Sequence, residues 1–333
     1  MLHIHNGDST ADAAKLTTLP GEHFAFREAL IEGPAPASLD RTEWRRVRAR
    51  HLSESYGVDR EQCERELADL ENKLATFAEH EEIVLWFEHD LFCQLNLIYL
   101  LDWFGQQSLV KTKLSLICIG EFSGKENFRG LGGLDTSELA SLFPGRRPVT
   151  QRQLELAASA WQAFRSNDPT KIQDLLQTGT SALPFLGAAF TAHLRRFPST
   201  NNGLGSVEMK SLELVDSGLK NFTDLFHGFG EAEPIYGLGD AQLWLALRRM
   251  SGARQPLLTI AGLNGDDRGK ALNPDIAGNV GCEITALGQS VLKGEADFVS
   301  LNGIDTWLGG VHLQDLETLW RWDEQSERLS REI

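Results

Sequence analysis

Nothing in this 333-residue sequence approaches the roughly 18 consecutive apolar residues that a membrane-spanning helix needs, so no span is expected. The N-terminus lacks a basic stretch followed by an apolar run, so no signal peptide is expected and the expected location is cytoplasmic. Cysteine is scarce. Cys63, Cys93, Cys118 and Cys282 lie far apart and form no C-x-x-C, and Cys93 and Cys118 fall in apolar runs, so they read as reduced, buried thiols. Positive charge is short as well: 32 Lys and Arg stand against 47 Asp and Glu, for a net charge of −15. That balance disfavours a nonspecific polyanion binder, although it leaves room for a local basic patch. G-x-S-x-G, H-E-x-x-H, the P-loop and G-x-G-x-x-G are all missing, which leaves a covalent serine hydrolase or a zinc protease without support. No repeat of fixed period and no low-complexity tract is found.

What remains is ordinary globular chain, 41% hydrophobic and 24% charged, long enough for two or three domains. Residues 1–145 alternate strands with helices. Leu2 to His5 reads as a strand, Ser9 to Leu16 as a helix capped by Asp8 or Ser9, and "HFAFRE" (23–28) as a second strand. Residues 40–80 are charged with helical spacing and read as a helical insertion. "EIVLWF" (82–87) and "KLSLICIG" (113–120) are continuous apolar runs, which fit parallel strands covered on both faces. The expectation is an α/β fold: a Rossmann-like open parallel sheet with a helical insertion.

A helical connector is expected over 146–200, with "RFPSTNNGLG" (196–205) as the linker. Residues 201–300 read as three helices, then two short strands around a Gly/Asn/Asp-rich loop (262–281), the order of a winged-helix domain. A tail follows at 301–333, a candidate to dock on the first domain, with "LWRWDEQSERL" read as a terminal helix.

Ligands of open α/β sheets bind beyond the carboxyl ends of the strands. Strand one ends in Asn6, Gly7, Asp8 and Ser9, and strand two in Arg27 and Glu28. The later strands end in Glu88, His89 and Asp90, and in Gly120 and Glu121. Gly7 allows a sharp turn and a close approach to a ligand, and the helix start beyond it has free N–H groups for an anion. Asp8, Glu88, Asp90 and Glu121 carry the oxygen ligands that Mg²⁺ or Mn²⁺ prefers. His89, with Glu88 and Asp90, forms the catalytic candidate set, His89 serving as general acid or base. Arg27 and Arg129 can pair with a phosphate or carboxylate. A second polar cluster, Asn302, Asp305 and His312 in "LNGIDTWLGGVHL", is either a docking turn or a segment that folds back to complete the site. His3 and His5 read as packed strand histidines.

Together "LHIHNGDS", "VLWFEHDLFCQL", "LSLICIGEF", "FRGLGGL", "TSALPFLGAAF" and "LNGIDTWLGGVHL" resemble a bacterial family catalogued as domain of unknown function eighteen thirty-five. The resemblance covers most of the chain and implies a bacterial, soluble protein. It supplies no catalytic residues.

Two functions from different classes compete. One is a metal-assisted hydrolase or transferase acting on a phosphate-bearing small molecule or nucleotide. The other is a ligand-sensing regulator whose winged helix uses Arg248, Arg249 and Arg254 against DNA or a protein. DNA is the less favoured partner, because Leu243, Trp244, Leu245 and Leu247 cover more than one face of that helix. The cover for those faces is the same domain, the N-terminal domain or a second subunit in a homodimer.

Overall fold

In a computed structural model of the chain, residues 1–126, 128–261, 280–314 and 319–331 are described. β1 (Leu2–His5), α1 (Asp8–Lys15) and β2 (Glu22–Ala25) form a first βαβ unit. A two-residue strand, β3 (Gly33–Pro34), precedes the helical hairpin of α2 (Arg41–Tyr56) and α3 (Arg60–Ala75), the insertion that the charged stretch predicts. Asp40 starts α2 through a capping box with Glu43, and Asp59 caps α3. The chain re-enters the sheet as β4 (Glu82–Glu88), continues through α4 (Leu91–Gly105) to β5 (Lys113–Ile119), and reaches β6 (Arg147–Pro148) after α5 (Thr136–Leu142).

The strand order is β2-β1-β4-β5-β6. The first four strands are parallel and β6 is antiparallel. The expectation of a purely parallel sheet is therefore corrected at one margin. β6 has only two residues, one of them a proline that cannot donate to a ladder, and such a strand suits an edge.

Side chains alternate across the strands. Leu2, Ile4, Ile83, Leu85 and Phe87 enter the core shared with α4, whereas Val84, Trp86 and Ile117 meet Ala14 of α1 on the opposite face. Both faces are covered, which explains the unbroken apolar runs. His3 and His5 are fully buried on the second face against Trp86. The Trp86 indole N–H donates to His3 Nδ1 at 3.0 Å, so His3 Nε2 carries the proton given to the Pro20 carbonyl, also at 3.0 Å.

Helices follow: α6 (Gln151–Arg165), α7 (Thr170–Thr178), α8 (Leu186–Leu194), α9 (Ser206–Asp216), α10 (Phe222–Ala232) and α11 (Asp240–Ser251). An antiparallel ribbon of β7 (Leu258–Ala261) and β8 (Gly281–Ile284) comes next, then α12 (Ala286–Leu292) and α13 (Phe298–Asn302). The expected loop at 262–281 lies outside the described residues except for its last two. The 196–205 stretch is a packed connection rather than a free linker. Phe197, Asn202 and Leu204 are buried, and the Asn202 amide donates to the Val291 carbonyl while accepting from the Leu204 N–H.

The tail does dock. β9 (Thr306–Gly309) pairs with β10 (Val311–Leu313) and runs parallel to β3, Gly33 opposite Leu308. The expected terminal helix is instead a hairpin of β11 (Trp320–Asp323) and β12 (Arg328–Arg331). Asp323 reverses the chain by accepting from the Gln325 N–H and the Ser326 hydroxyl, and Glu327 completes the turn at φ 51°. One apolar cluster runs from Leu2 to Leu329. Among the described residues no helix is long and apolar enough to cross a membrane.

Candidate functional site at the carboxyl edge of the sheet

β1 and β4 are neighbours, but their chains leave in opposite directions: α1 leads to β2 on one side, α4 to β5 on the other. The order therefore reverses between them, and an open α/β sheet has its crevice at such a point. Gly7 makes the turn out of β1 at φ 103°, a conformation that disfavours other residues. It is also the N-cap of α1, which corrects the expectation that Asp8 or Ser9 caps this helix; Asp8 is its first residue. Asp90 caps α4, its Oδ1 accepting from the Cys93 N–H at 2.8 Å.

Glu88, Asp90 and Cys93 offer ligand atoms within 4.8 Å of one another, and all three are buried. Glu88 Oε1 accepts from the Leu131 N–H, and the Cys93 thiol donates to Glu88 Oε2 at 3.5 Å. Asn6 donates to Cys93 Sγ at 2.7 Å and is itself held by Asn96 at 2.8 Å. Burial, with the Asp90 carboxylate beside it, holds Glu88 well above the usual carboxylate range. Burial raises Asp90 as well. The Cys93 thiol is pushed up by burial and by both acids, so it stays a thiol. Two ionised carboxylates this close and this dry repel, so the group favours holding a proton or a cation.

Above the group lies a cleft of about 530 Å³. Asn6, Ser9, Thr10 and the Gly130–Gly133 turn form one wall; Phe226, His227, Phe229 and Gln242, from α10 and α11, form the other. Glycines bring backbone against the acids. A Cβ on Gly130 would stand 2.5 Å from a Glu88 oxygen, and one on Gly237 2.2 Å from Asp90 Oδ1. Gly237 also has φ 60°. Gly237→Ala is expected to lower stability by at least about 1 kcal/mol through backbone strain, more with the clash. A urea melt with an unshifted midpoint would refute this.

The structure brings six of the sequence-predicted residues to the cleft: Asn6, Ser9, Glu88, His89, Asp90 and Arg129. His89 Nδ1 is buried there without a hydrogen-bond partner among the described residues. Asp8 is not part of the acidic group, because Arg27 takes its carboxylate at 2.6 Å, which removes Arg27 from the cleft as well. Glu121 lies exposed past the end of β5, outside the cleft lining. Glu28 turns inward to the buried Arg48. Asn302 is spent on the Gln255 backbone, and Asp305 pairs with His312 at 2.7 Å away from the cleft, so the tail does not complete the site. Sequence reasoning missed Cys93, Thr10, Gly130, Gly237 and His227. For Cys93 a signal existed: three residues past an N-cap, it shares the first helical turn with Asp90.

Glu88 and Asp90 fit a hard divalent cation, which takes one or two carboxylates and completes its shell with water or ligand oxygens. The thiol of Cys93 adds a softer donor. A scan against protein-family models finds no match to the chain, and a search of curated proteins finds no similar one.

Proposed function

We propose that the cleft binds a phosphate-bearing small molecule or nucleotide with Mg²⁺ or Mn²⁺, and that the protein is a metal-assisted hydrolase or transferase. The observation that carries this reading is a buried carboxyl pair at the point where the strand order reverses, facing a cleft whose arginine is already spoken for. Arg129 pairs with Glu231 at 2.7 Å, and nearby Lys125 pairs with Glu138 at 2.7 Å. An anionic ligand therefore needs positive charge from elsewhere, and a bound divalent cation would supply it to the phosphate oxygens. Glu88 and Asp90 hold that charge. The first turns of α1 and α4 border the cleft through Ser9, Thr10 and Phe92, and a helix N-terminus favours an anion. His89 lines the same cleft and is the candidate to take or give a proton.

Thermal melts with Mn²⁺, alone and with adenosine diphosphate, test the reading. Stabilisation of about 2.7 kcal/mol is expected at a hundredfold excess over Kd. Glu88→Gln should fold, since the amide oxygen still accepts from Leu131, yet lose the response. Neither heat in calorimetry nor stabilisation with any combination would sink the proposal.

The regulator reading, a winged helix over 201–300, has the helix-helix-helix-ribbon order in its favour. Against DNA binding, Arg249 pairs with Glu208 at 2.7 Å and Arg254 donates to the Leu301 carbonyl. Leu243, Trp244, Leu247 and Met250 of α11 are buried within the chain itself. Only weak, nonspecific DNA binding is expected at about 0.15 M salt, with a steep salt dependence. Sequence-selective binding lost on Arg248→Ala and Arg249→Ala would promote the regulator.

A further inference from the structure

Glu233 lines both the cleft and a second groove of about 720 Å³. The groove is walled by the 199–201 segment, the first turns of α9 and the turn between β11 and β12. Its charges are largely compensated from within. Lys210 pairs with Glu213, Arg195 approaches Glu324 at 3.9 Å, and Asp323 uses its oxygens in its own turn. The neutral groups are the uncommitted ones: Thr200 Oγ1 and the side-chain amides of Asn201 and Gln325 carry no hydrogen bond to any described residue. Half-buried Met209 supplies apolar surface beside them.

This combination selects among ligand chemistries. A phosphate would face the carboxylates of Glu213, Glu233, Asp323 and Glu324 with both cations already paired. An apolar ligand would strip water from the amides and return nothing. A polyhydroxylated ring satisfies both sets: its hydroxyls donate and accept in turn, and its C–H face rests on Met209. We propose that this groove is a subsite for a neutral polyhydroxylated group, a hexose or ribose, arriving as a free sugar or as the sugar end of the ligand in the adjoining cleft. The second source rests on the nucleotide reading above; the first does not.

Saturation-transfer NMR with glucose, ribose, uridine diphosphate and uridine diphosphate glucose, each with Mg²⁺, tests it. The comparison variant combines Thr200→Ala, Asn201→Ala and Gln325→Ala, all exposed positions. Transfer to sugar-ring protons is expected, falling at least fivefold in the variant. Transfer to free glucose or ribose identifies a free-sugar site; transfer only to the glucosyl protons of the conjugate identifies the extended ligand. No transfer to any sugar proton, or transfer untouched by the triple change, overturns the proposal. Uridine diphosphate failing to bind while a free sugar binds in this groove would count against the nucleotide reading and for the subsite.

Discussion

Between pH 7 and pH 4 the protein is expected to lose most of its stability. Four histidines are held neutral inside the fold, His3, His5 and His193 buried and His51 half-buried. Burial lowers His3 to about 4 and His51 and His193 to about 3, with His5 lower still. In the unfolded chain each titrates near 6.5. The unfolded state thus binds more protons as the pH drops, so the stability present above about pH 6.5 drains away below it. Each such group removes about 1.4 kcal/mol per pH unit, and a typical domain has roughly 5–15 kcal/mol in all. Glu88 and Asp90, whose folded forms keep protons more readily, pull the other way, but two groups do not offset four. Urea melts at several pH values should show the loss, and His193→Phe should reduce its slope by about one proton. A midpoint that is flat from pH 7 to pH 5 would show that these side chains reach water without unfolding.

Glu28→Leu is expected to destabilise by about 3–5 kcal/mol, the usual consequence of stranding a buried charge. Arg48 is fully buried in the middle of α2. Its guanidinium donates to Glu28 Oε1 at 2.7 Å and to the carbonyls of Ala29 and Glu32 at 2.9 and 2.6 Å. The pair fastens the helical insertion to the segment after β2. Arg48→Met alone should be comparably damaging, whereas the double variant Glu28→Leu with Arg48→Met should recover much of the loss, since an apolar pair needs no compensation. Additive losses in the double variant would mean that the arginine serves mainly as a tie for the backbone carbonyls.

The sheet was legible in the sequence because β4 is apolar at every position between its two glutamates and β5 is interrupted only by Ser115, a pattern that a half-exposed strand would not show. The edge carrying the site followed from that. Membership of the site was less legible, because the fate of a strand-end acid depends on a partner distant in sequence. Asp8 meets Arg27 and Glu28 meets Arg48, whereas among the described residues Glu88 meets only the Leu131 backbone, the thiol of Cys93 and another acid. All four carboxylates look alike in one dimension. "LWRWDEQSERL" was misread as a helix because its Leu and Trp spacing suits either period, and the deciding feature is the turn chemistry of Asp323.

The pairing of β3 with β9 also constrains how the molecule is made. A ribosome releases Gly33 some 275 residues before its ladder partner Leu308. At about 5–20 residues per second the wait is on the order of tens of seconds. Throughout it Leu30, Ile31 and Ala35, all destined for the interior, flank a strand with nothing to pair with. The nascent chain therefore passes through a long sticky stage, and the yield of soluble product in cells should respond to translation speed and to holding chaperones more than the finished fold would suggest.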